Sequence, residues 1–172
     1  MFVDKKNGEC WLGEDRKAML DRDDLALWCA LNQLLASYWA DVDENGGRQA
    51  HEFYLPDGLY AIGNNRFEGQ EKIEAFYARR RAGTVMTRHL ISNLRVLRQE
   101  GPQARVGGIM TLYRAEGRSA FQRARPPAMI ADFEAQCFPI DDRLWRFQSH
   151  VLRPFIVGSD FPASIMINPR NL

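Results

Sequence analysis

Residues 85–98 read VMTRHLISNLRVLR, a stretch in which side chains of like character recur with a period of two. This period is typical of a β-strand that packs one face against a core. The same pattern recurs over residues 104–115, 129–140 and 144–155. Turn-forming residues separate the four segments at Glu100-Gly101-Pro102, Glu116-Gly117-Arg118 and Asp141-Asp142. The second half of the sequence therefore predicts four long antiparallel strands.

Before Gly83 the apolar residues follow helical spacing instead. Asp21, Asp23 and Asp24 favour a helix start, since acids suit the N-cap and the first turn. Apolar residues then recur at intervals of three and four from Leu25 to Val42, and Asn45-Gly46-Gly47 ends this helix. A short helix over about 48–54, stopped by Pro56-Asp57-Gly58, a strand over 59–62 and a third helix over about 70–81 are predicted to follow.

Helices first and strands afterwards predict an α+β fold, with three N-terminal helices packed on a curved, mostly antiparallel sheet. The sequence contains no internal repeat and no linker-like segment, so we expect residues 1–172 to form one domain. Its core is expected over about 22–155. Residues 1–20 are predicted to form an N-terminal arm and residues 158–172 a C-terminal arm.

Composition excludes several classes of function. Lys+Arg 23 against Asp+Glu 22 gives a net charge of +1, which argues against a nucleic-acid-binding surface. No apolar run approaches the ~20 residues of a membrane helix, and the N-terminus lacks the apolar stretch of a signal peptide. The three cysteines form no close pair, which predicts a cytoplasmic protein without a disulfide framework or a zinc site.

Several short segments carry a resemblance to a known family. They are Ala40-Asp41-Val42-Asp43, Gly47-Arg48, Pro56-Asp57-Gly58-Leu59-Tyr60, Phe67-Glu68-Gly69 and Thr87-Arg88-His89-Leu90-Ile91-Ser92-Asn93. Over about residues 22–155 the chain resembles the SnoaL-like, scytalone dehydratase-like group of the nuclear transport factor 2-like (cystatin-like) superfamily. The resemblance implies the α+β cone of that superfamily.

The resemblance also implies a catalytic pair, because lyases of this group orient a strand histidine with an aspartate from the end of the first helix. Asp43 and His89 match those positions. A carboxylate that accepts the proton of one ring nitrogen fixes the imidazole tautomer, and the other nitrogen can then act as a general base. Acids at a helix C-terminus are disfavoured by about 0.3–1 kcal/mol each, so Asp43 there either has a partner or simply faces water.

Other candidates are weaker. His150 stands where the related dehydrochlorinase has an arginine, and we expect it at the rim of the cone; Tyr38 and Tyr60 lie near tyrosines that polarise a substrate oxygen in related dehydratases. For these two tyrosines core packing is the favoured interpretation, and His51 is expected on the surface. The apolar pocket of the cone is predicted to be lined by Trp28, Trp39, Phe53 and Met110. The second histidine of scytalone dehydratase has no counterpart in residues 104–115.

The sequence thus predicts a cofactor-independent lyase or isomerase that acts on a small, cyclic, apolar substrate, with no metal. A homo-oligomer, dimer or trimer, is expected by analogy. Arg79-Arg80-Arg81 could suggest an anion site, but cations at a helix C-terminus need no ligand to be favourable. Two alternatives remain open: a non-catalytic beta-type subunit that binds an iron-bearing dioxygenase alpha subunit, and a small-molecule-binding protein without turnover.

Overall fold

A computed structural model describes residues 22–117, 125–141 and 144–159. The elements, in chain order, are α1 (Arg22–Glu44), a 3-10 helix (Ala50–Phe53), β1 (Tyr54–Ile62), β2 (Asn65–Glu68), α2 (Gln70–Arg81), β3 (Val85–Glu100), β4 (Gln103–Glu116), β5 (Met129–Pro139) and β6 (Trp145–Val157). The predicted N-terminal arm and residues 160–172 of the predicted C-terminal arm lie outside the described residues. The division into one core and two arms stays a prediction.

The strands that the structure describes form one curved sheet in the order β2-β1-β6-β5-β4-β3. Neighbouring strands run antiparallel, except that β1 lies parallel to β6. The two α-helices and the 3-10 helix pack on one face of this sheet, and buried side chains from helices and strands form a single apolar cluster between them. The predicted α+β architecture is confirmed.

Helix α1 presents Leu31, Leu35, Tyr38, Trp39 and Val42 to the core, as its spacing predicts. Asp23 and Asp24 lie in its first turn, whereas the predicted cap Asp21 lies outside the described part of the chain. The helix ends as predicted. Gly46 and Gly47 adopt positive φ angles of 69° and 72°. The Gly47 amide donates to the Asp41 carbonyl at 2.9 Å, which satisfies a carbonyl at the helix end.

The short helix predicted over 48–54 forms only as a 3-10 helix at Ala50–Phe53, so the structure has two α-helices among its described residues rather than three helices of that kind. The predicted start of the following strand at Leu59 is wrong, because β1 already begins at Tyr54. Pro56 lacks an amide and cannot continue a helix, but it can lie in a strand where pairing is interrupted. The pairing of β1 with β6 shifts register between Tyr54 and Leu59, which accommodates Pro56-Asp57-Gly58 inside the strand.

Strand β3 changes face at Asn93, which has a positive φ of 53° and is exposed. The register with β4 shifts between Ser92 and Arg95, so this is a β-bulge. Simple alternation from His89 and Ile91 would place Asn93 on the same inward face, which the bulge prevents. Beyond the bulge Leu94, not Asn93, packs against the core.

Neither α-helix among the described residues combines the length and hydropathy that a membrane span requires.

Gly47, just after the end of α1, lies so close to Tyr77 that a larger residue should destabilise the protein. A Cβ on Gly47 would lie 2.5 Å from Cδ1 of the buried Tyr77 ring, whereas a Cβ on Gly101 (φ 55°) would meet no described atom within 4 Å. Gly101→Ala should lower the free energy of unfolding by about 1–2 kcal/mol, the cost of a left-handed alanine. Gly47→Ala should cost about 1–3 kcal/mol more, because Tyr77 must shift. Urea unfolding compares the two, and equal losses would contradict the packing against Tyr77.

Candidate active site

The carboxylate of Asp43, in the last turn of α1, joins that helix to β3. Its Oδ1 lies 2.6 Å from His89 Nδ1, and its Oδ2 accepts the His89 backbone amide at 2.7 Å. The Thr87 hydroxyl donates to Oδ1 at 2.7 Å. Both side chains of the pair are 7% exposed. The sequence prediction of an Asp43–His89 contact is confirmed, and Asp43 does not simply face water.

Protonation follows from this geometry. Burial raises the pKa of Asp43, but the hydrogen bonds and charge of His89 outweigh it, so the net shift is downward and the carboxylate is ionised. Burial lowers the pKa of His89, although the Asp43 carboxylate opposes that shift. An ionised carboxylate can only accept, so Nδ1 carries the proton of the neutral imidazole. The Nε2 atom then has a free lone pair, as a general base requires.

Three further side chains, Arg80, Thr87 and Trp39, support the pair. The Arg80 guanidinium donates to the Thr87 hydroxyl at 2.5 Å, and Thr87 therefore directs its own proton to Asp43. Trp39 stacks on the His89 ring, with centroids 4.0 Å apart and an interplanar angle of 18°. Thr87 shares the inward face of β3 with His89 at two-residue spacing, a signal that could have identified it.

A cavity of ≈ 530 Å³ adjoins the pair, and His89 and Thr87 form part of its wall. Most of its lining is apolar or aromatic, with contributions from Trp39, Tyr60, Phe67, Phe76, Met110 and Leu152. The polar lining consists of Asn65, Thr87, His89 and three arginines, Arg79, Arg80 and Arg114. Trp39 and His89 also border a groove of ≈ 330 Å³ between α1 and β3. The volume suits a small organic molecule.

Behind one wall of the cavity, buried side chains form a chain of hydrogen bonds. His150 Nδ1 lies 3.3 Å from the Tyr54 hydroxyl, which donates to the Tyr38 hydroxyl at 3.1 Å. Tyr38 and Tyr77 hydroxyls are 2.5 Å apart, and the Tyr77 ring stacks on that of Tyr60 with centroids 6.0 Å apart. Burial raises the pKa of all four tyrosines, to about 12 for Tyr60, so the hydroxyls stay neutral.

The direction of this chain follows from proton counting. A neutral hydroxyl donates once, so Tyr54, which donates to Tyr38, cannot also donate to His150. His150 Nδ1 is therefore protonated, and its Nε2 is buried without a hydrogen-bond partner among the described residues. Tyr38, whose oxygen accepts from Tyr54, can then donate to Tyr77. Tyr60 lines the cavity, and its neutral hydroxyl can donate to an oxygen atom of a ligand.

The remaining predicted site residues divide into two groups. Tyr60, Trp39 and Met110 line the cavity, whereas Tyr38 and His150 stand behind its wall. His150 is fully buried, so its expected place at the rim is wrong: an aromatic cluster surrounds it.

Trp28, Phe53 and His51 also differ from expectation. Trp28 and Phe53 do not line the cavity. The Trp28 indole donates to the Leu94 carbonyl at 3.3 Å, and Phe53 packs edge-on against Tyr38. His51 is half-buried rather than exposed, because its 3-10 turn lies against the core. No cluster of metal-ligating side chains occurs within the described ranges.

Acid should destabilise the protein through His150, since burial lowers its pKa to about 3, against ~6.5 in an unfolded chain. Between these values the unfolded state binds the proton and the folded state does not, so stability falls as pH falls through this window. This residue alone contributes up to about 1.4 kcal/mol per pH unit. The free energy of unfolding, measured with urea between about pH 7 and pH 5, should therefore fall less steeply as the pH falls for His150→Gln than for the unsubstituted protein. The same pH dependence in both proteins would contradict a buried, neutral His150.

Comparisons with known proteins agree with this architecture. A candidate scytalone dehydratase from Novosphingobium aromaticivorans superposes with a TM-score of 0.70 at 15% identity, over 85% of this chain and 95% of that one. The beta subunit of a candidate aromatic-ring-hydroxylating dioxygenase from the same organism gives 0.68 at 13% identity, over 80% and 94%. A Nostoc punctiforme protein with a cystatin-like fold gives 0.61 at 15% identity, over 84% and 98%.

At these identities the structural likeness shows the fold alone. No curated protein sequence matches the chain. The SnoaL-like domain model, however, matches residues 23–150, which is well over half of the sequence. This protein, in which Asp43 binds a histidine of the cavity wall, is thus a member of the SnoaL-like family.

Proposed function

We propose that the protein is a cofactor-independent lyase or isomerase that removes a proton from a carbon atom of a small, cyclic, mostly apolar substrate. The observation that carries the proposal is the buried contact of 2.6 Å between Asp43 and His89, a residue that lines a ligand-sized cavity. His89 Nε2 is the base, and Asp43 orients the ring and stabilises the imidazolium that forms. Burial holds His89 neutral and thus ready to accept a proton.

The opposite charge develops on the substrate. When the carbon next to a carbonyl loses its proton, the electron pair moves to the carbonyl oxygen, which becomes an enolate. Tyr60 lines the cavity, and its neutral hydroxyl is the proposed donor to that oxygen. Tyr38 and His150, the other candidates from the sequence, do not line the cavity. In this proposal they position Tyr77, whose ring packs against Tyr60, through the chain of hydrogen bonds that includes Tyr54.

The reaction then ends in one of two ways. In an isomerase, the His89 imidazolium returns the proton to a different carbon. In a lyase, the electron pair forms a carbon–carbon double bond, a hydroxyl group leaves from the neighbouring carbon, and the imidazolium proton converts it to water. Both outcomes need one base in an apolar pocket. The cavity supplies that pocket through residues such as Trp39, Phe76 and Met110.

A non-catalytic beta-type subunit, with an iron-bearing alpha subunit as its partner, is less well supported. A docking subunit has no need for a neutral, carboxylate-oriented histidine in a cavity wall. Pocket binding without turnover is the closer competitor, and the experiment below separates it from catalysis. A homo-oligomer and a cytoplasmic location stay predictions.

Exchange of substrate protons tests the base without knowledge of the leaving group. The protein should accelerate deuterium uptake at the acidic carbon positions of 2-tetralone in D2O, followed by proton NMR. His89→Ala should lower the enzymatic rate about a hundredfold or more, because a general base contributes at least that factor. His51→Ala is the matched control and should keep the rate, since His51 does not line the cavity. Binding of 2-tetralone without faster exchange would favour a protein without turnover.

The hydroxyl donor has its own test. Tyr60→Phe should lower the same exchange rate about a hundredfold, the usual effect of removing one donor to a developing oxyanion. Tyr113 on β4 is 41% exposed and serves as the control: Tyr113→Phe should exchange like the unsubstituted protein. A Tyr60→Phe protein that binds 2-tetralone and exchanges at the full rate would remove Tyr60 from the mechanism.

A further inference from the structure

Helix α1 contacts the His89 ring in two ways, with a carboxylate at the ring edge and with an indole on the ring face. Asp43 binds Nδ1 at 2.6 Å, and Trp39 stacks on the ring with centroids 4.0 Å apart and an interplanar angle of 18°. Trp39 and Asp43 are four residues apart, a spacing that places both on one face of a helix. The indole and the carboxylate therefore reach the same imidazole from adjacent turns of α1.

The indole is held in this position before any proton arrives. Trp39 is 3% exposed, and the Tyr38 and His150 rings contact it at steep angles of 68° and 70°, with centroids at 4.7 and 5.5 Å. Its Nε1 has no hydrogen-bond partner among the described residues. The indole therefore acts on His89 through its aromatic face rather than through a hydrogen bond.

A stacked indole distinguishes the two protonation states of His89. The face of an aromatic ring carries partial negative charge and attracts a cation within about 6 Å of the ring centroid. The neutral imidazole becomes such a cation when Nε2 accepts a proton. We infer that the indole face of Trp39 stabilises the imidazolium form of His89 and thereby makes this residue a stronger base. The use of His89 as a base rests on the proposed function, whereas stabilisation of its protonated form does not.

Other charged or titratable groups surround His89, so a test of the indole must leave them unchanged. Burial is the main cause that lowers the pKa of His89; Asp43 opposes this shift and Arg80 adds to it. The groups on the other elements are Asp43 and Glu44 of α1, Arg79 and Arg80 of α2, Arg114 of β4 and His150 of β6. Arg88, on the same strand, borders the groove beside His89, and the hydroxyls of Tyr60 and Tyr77 are neutral.

Fluorination of Trp39 meets this condition, because fluorine withdraws negative charge from the ring face with little change in shape. Site-specific incorporation at position 39 of tryptophan that carries one, two or three fluorine atoms on its six-membered ring gives a graded series. The pKa of His89, followed by NMR of nitrogen-labelled histidine, should fall with each added fluorine, by about half a pH unit or more over the series. The chain has three histidines, so His51→Ala and His150→Gln assign the remaining signal to His89.

Trp28 provides the matched control. It lies on the same helix, but its indole donates to the Leu94 carbonyl and does not line the cavity. The same series at Trp28 should leave the pKa of His89 unchanged. The pH below which exchange of 2-tetralone protons slows should shift downward with the Trp39 series alone, a change that a purely structural role of the indole would not produce.

Two results would overturn the inference and leave the proposed function intact. One is a His89 pKa that stays constant across the Trp39 series, and the other is a pKa that falls equally with the Trp28 series. The NMR measurement needs no turnover. If the unsubstituted protein fails to accelerate exchange, the proposed function is contradicted, while the fluorine series still decides whether Trp39 stabilises the imidazolium.

Discussion

The carboxylate of Asp43 is the point on which the site depends. It lies at the end of α1 where the helix dipole disfavours an anion by about 0.3–1 kcal/mol. Three hydrogen bonds from β3 offset that cost: the His89 amide, the His89 ring and the Thr87 hydroxyl. Hydrogen bonds to a charged group contribute about 1.5–3 kcal/mol each. The same contacts attach the helix to the sheet and select the histidine tautomer, so the packing of α1 on the sheet also sets the protonation of the proposed base.

The curvature of the sheet brings distant strands to a common cavity. His89 lies on β3 at one edge of the sheet, and Tyr60 lies on β1 next to the other edge. Helix α2 adds Tyr77, whose ring stacks on Tyr60, and Arg80, which donates to Thr87. The proposed base and the proposed hydroxyl donor thus lie on different walls, which suits a reaction in which a proton leaves one atom and charge appears on another.

Sequence reasoning reached the parts of this arrangement that local chemistry dictates. The α1 periodicity, the glycine terminus and the alternation of β3 to β6 are local signals, and each matches the observed element. The 3-10 helix at Ala50–Phe53 differed because the interrupted pairing around Pro56 lets a strand begin where a helix was expected. The bulge at Asn93 had no sequence signal strong enough to indicate a change of face.

The site itself was only partly accessible to such reasoning. The resemblance suggested Asp43 with His89, but it could not show that His150 is enclosed by aromatic rings, since burial depends on contacts between residues far apart in sequence. The contacts of Tyr77 and Arg80 could not be predicted for a related reason. Both residues lie on α2, and they become neighbours of Tyr38 and Thr87 only once that helix packs against the rest of the fold.

The parallel pairing of β1 with β6 has a consequence for how the protein reaches this state. Residues 54–62 must wait for residues 147–152, which are made much later, before their backbone amides and carbonyls find partners on that side. Such high contact order slows folding, because a long loop closes before its contacts offset the lost entropy. Tyr60 and His150 are themselves partners across this seam. Residues 54 to 152 must therefore all be synthesised before the cavity wall that carries Tyr60 can assemble.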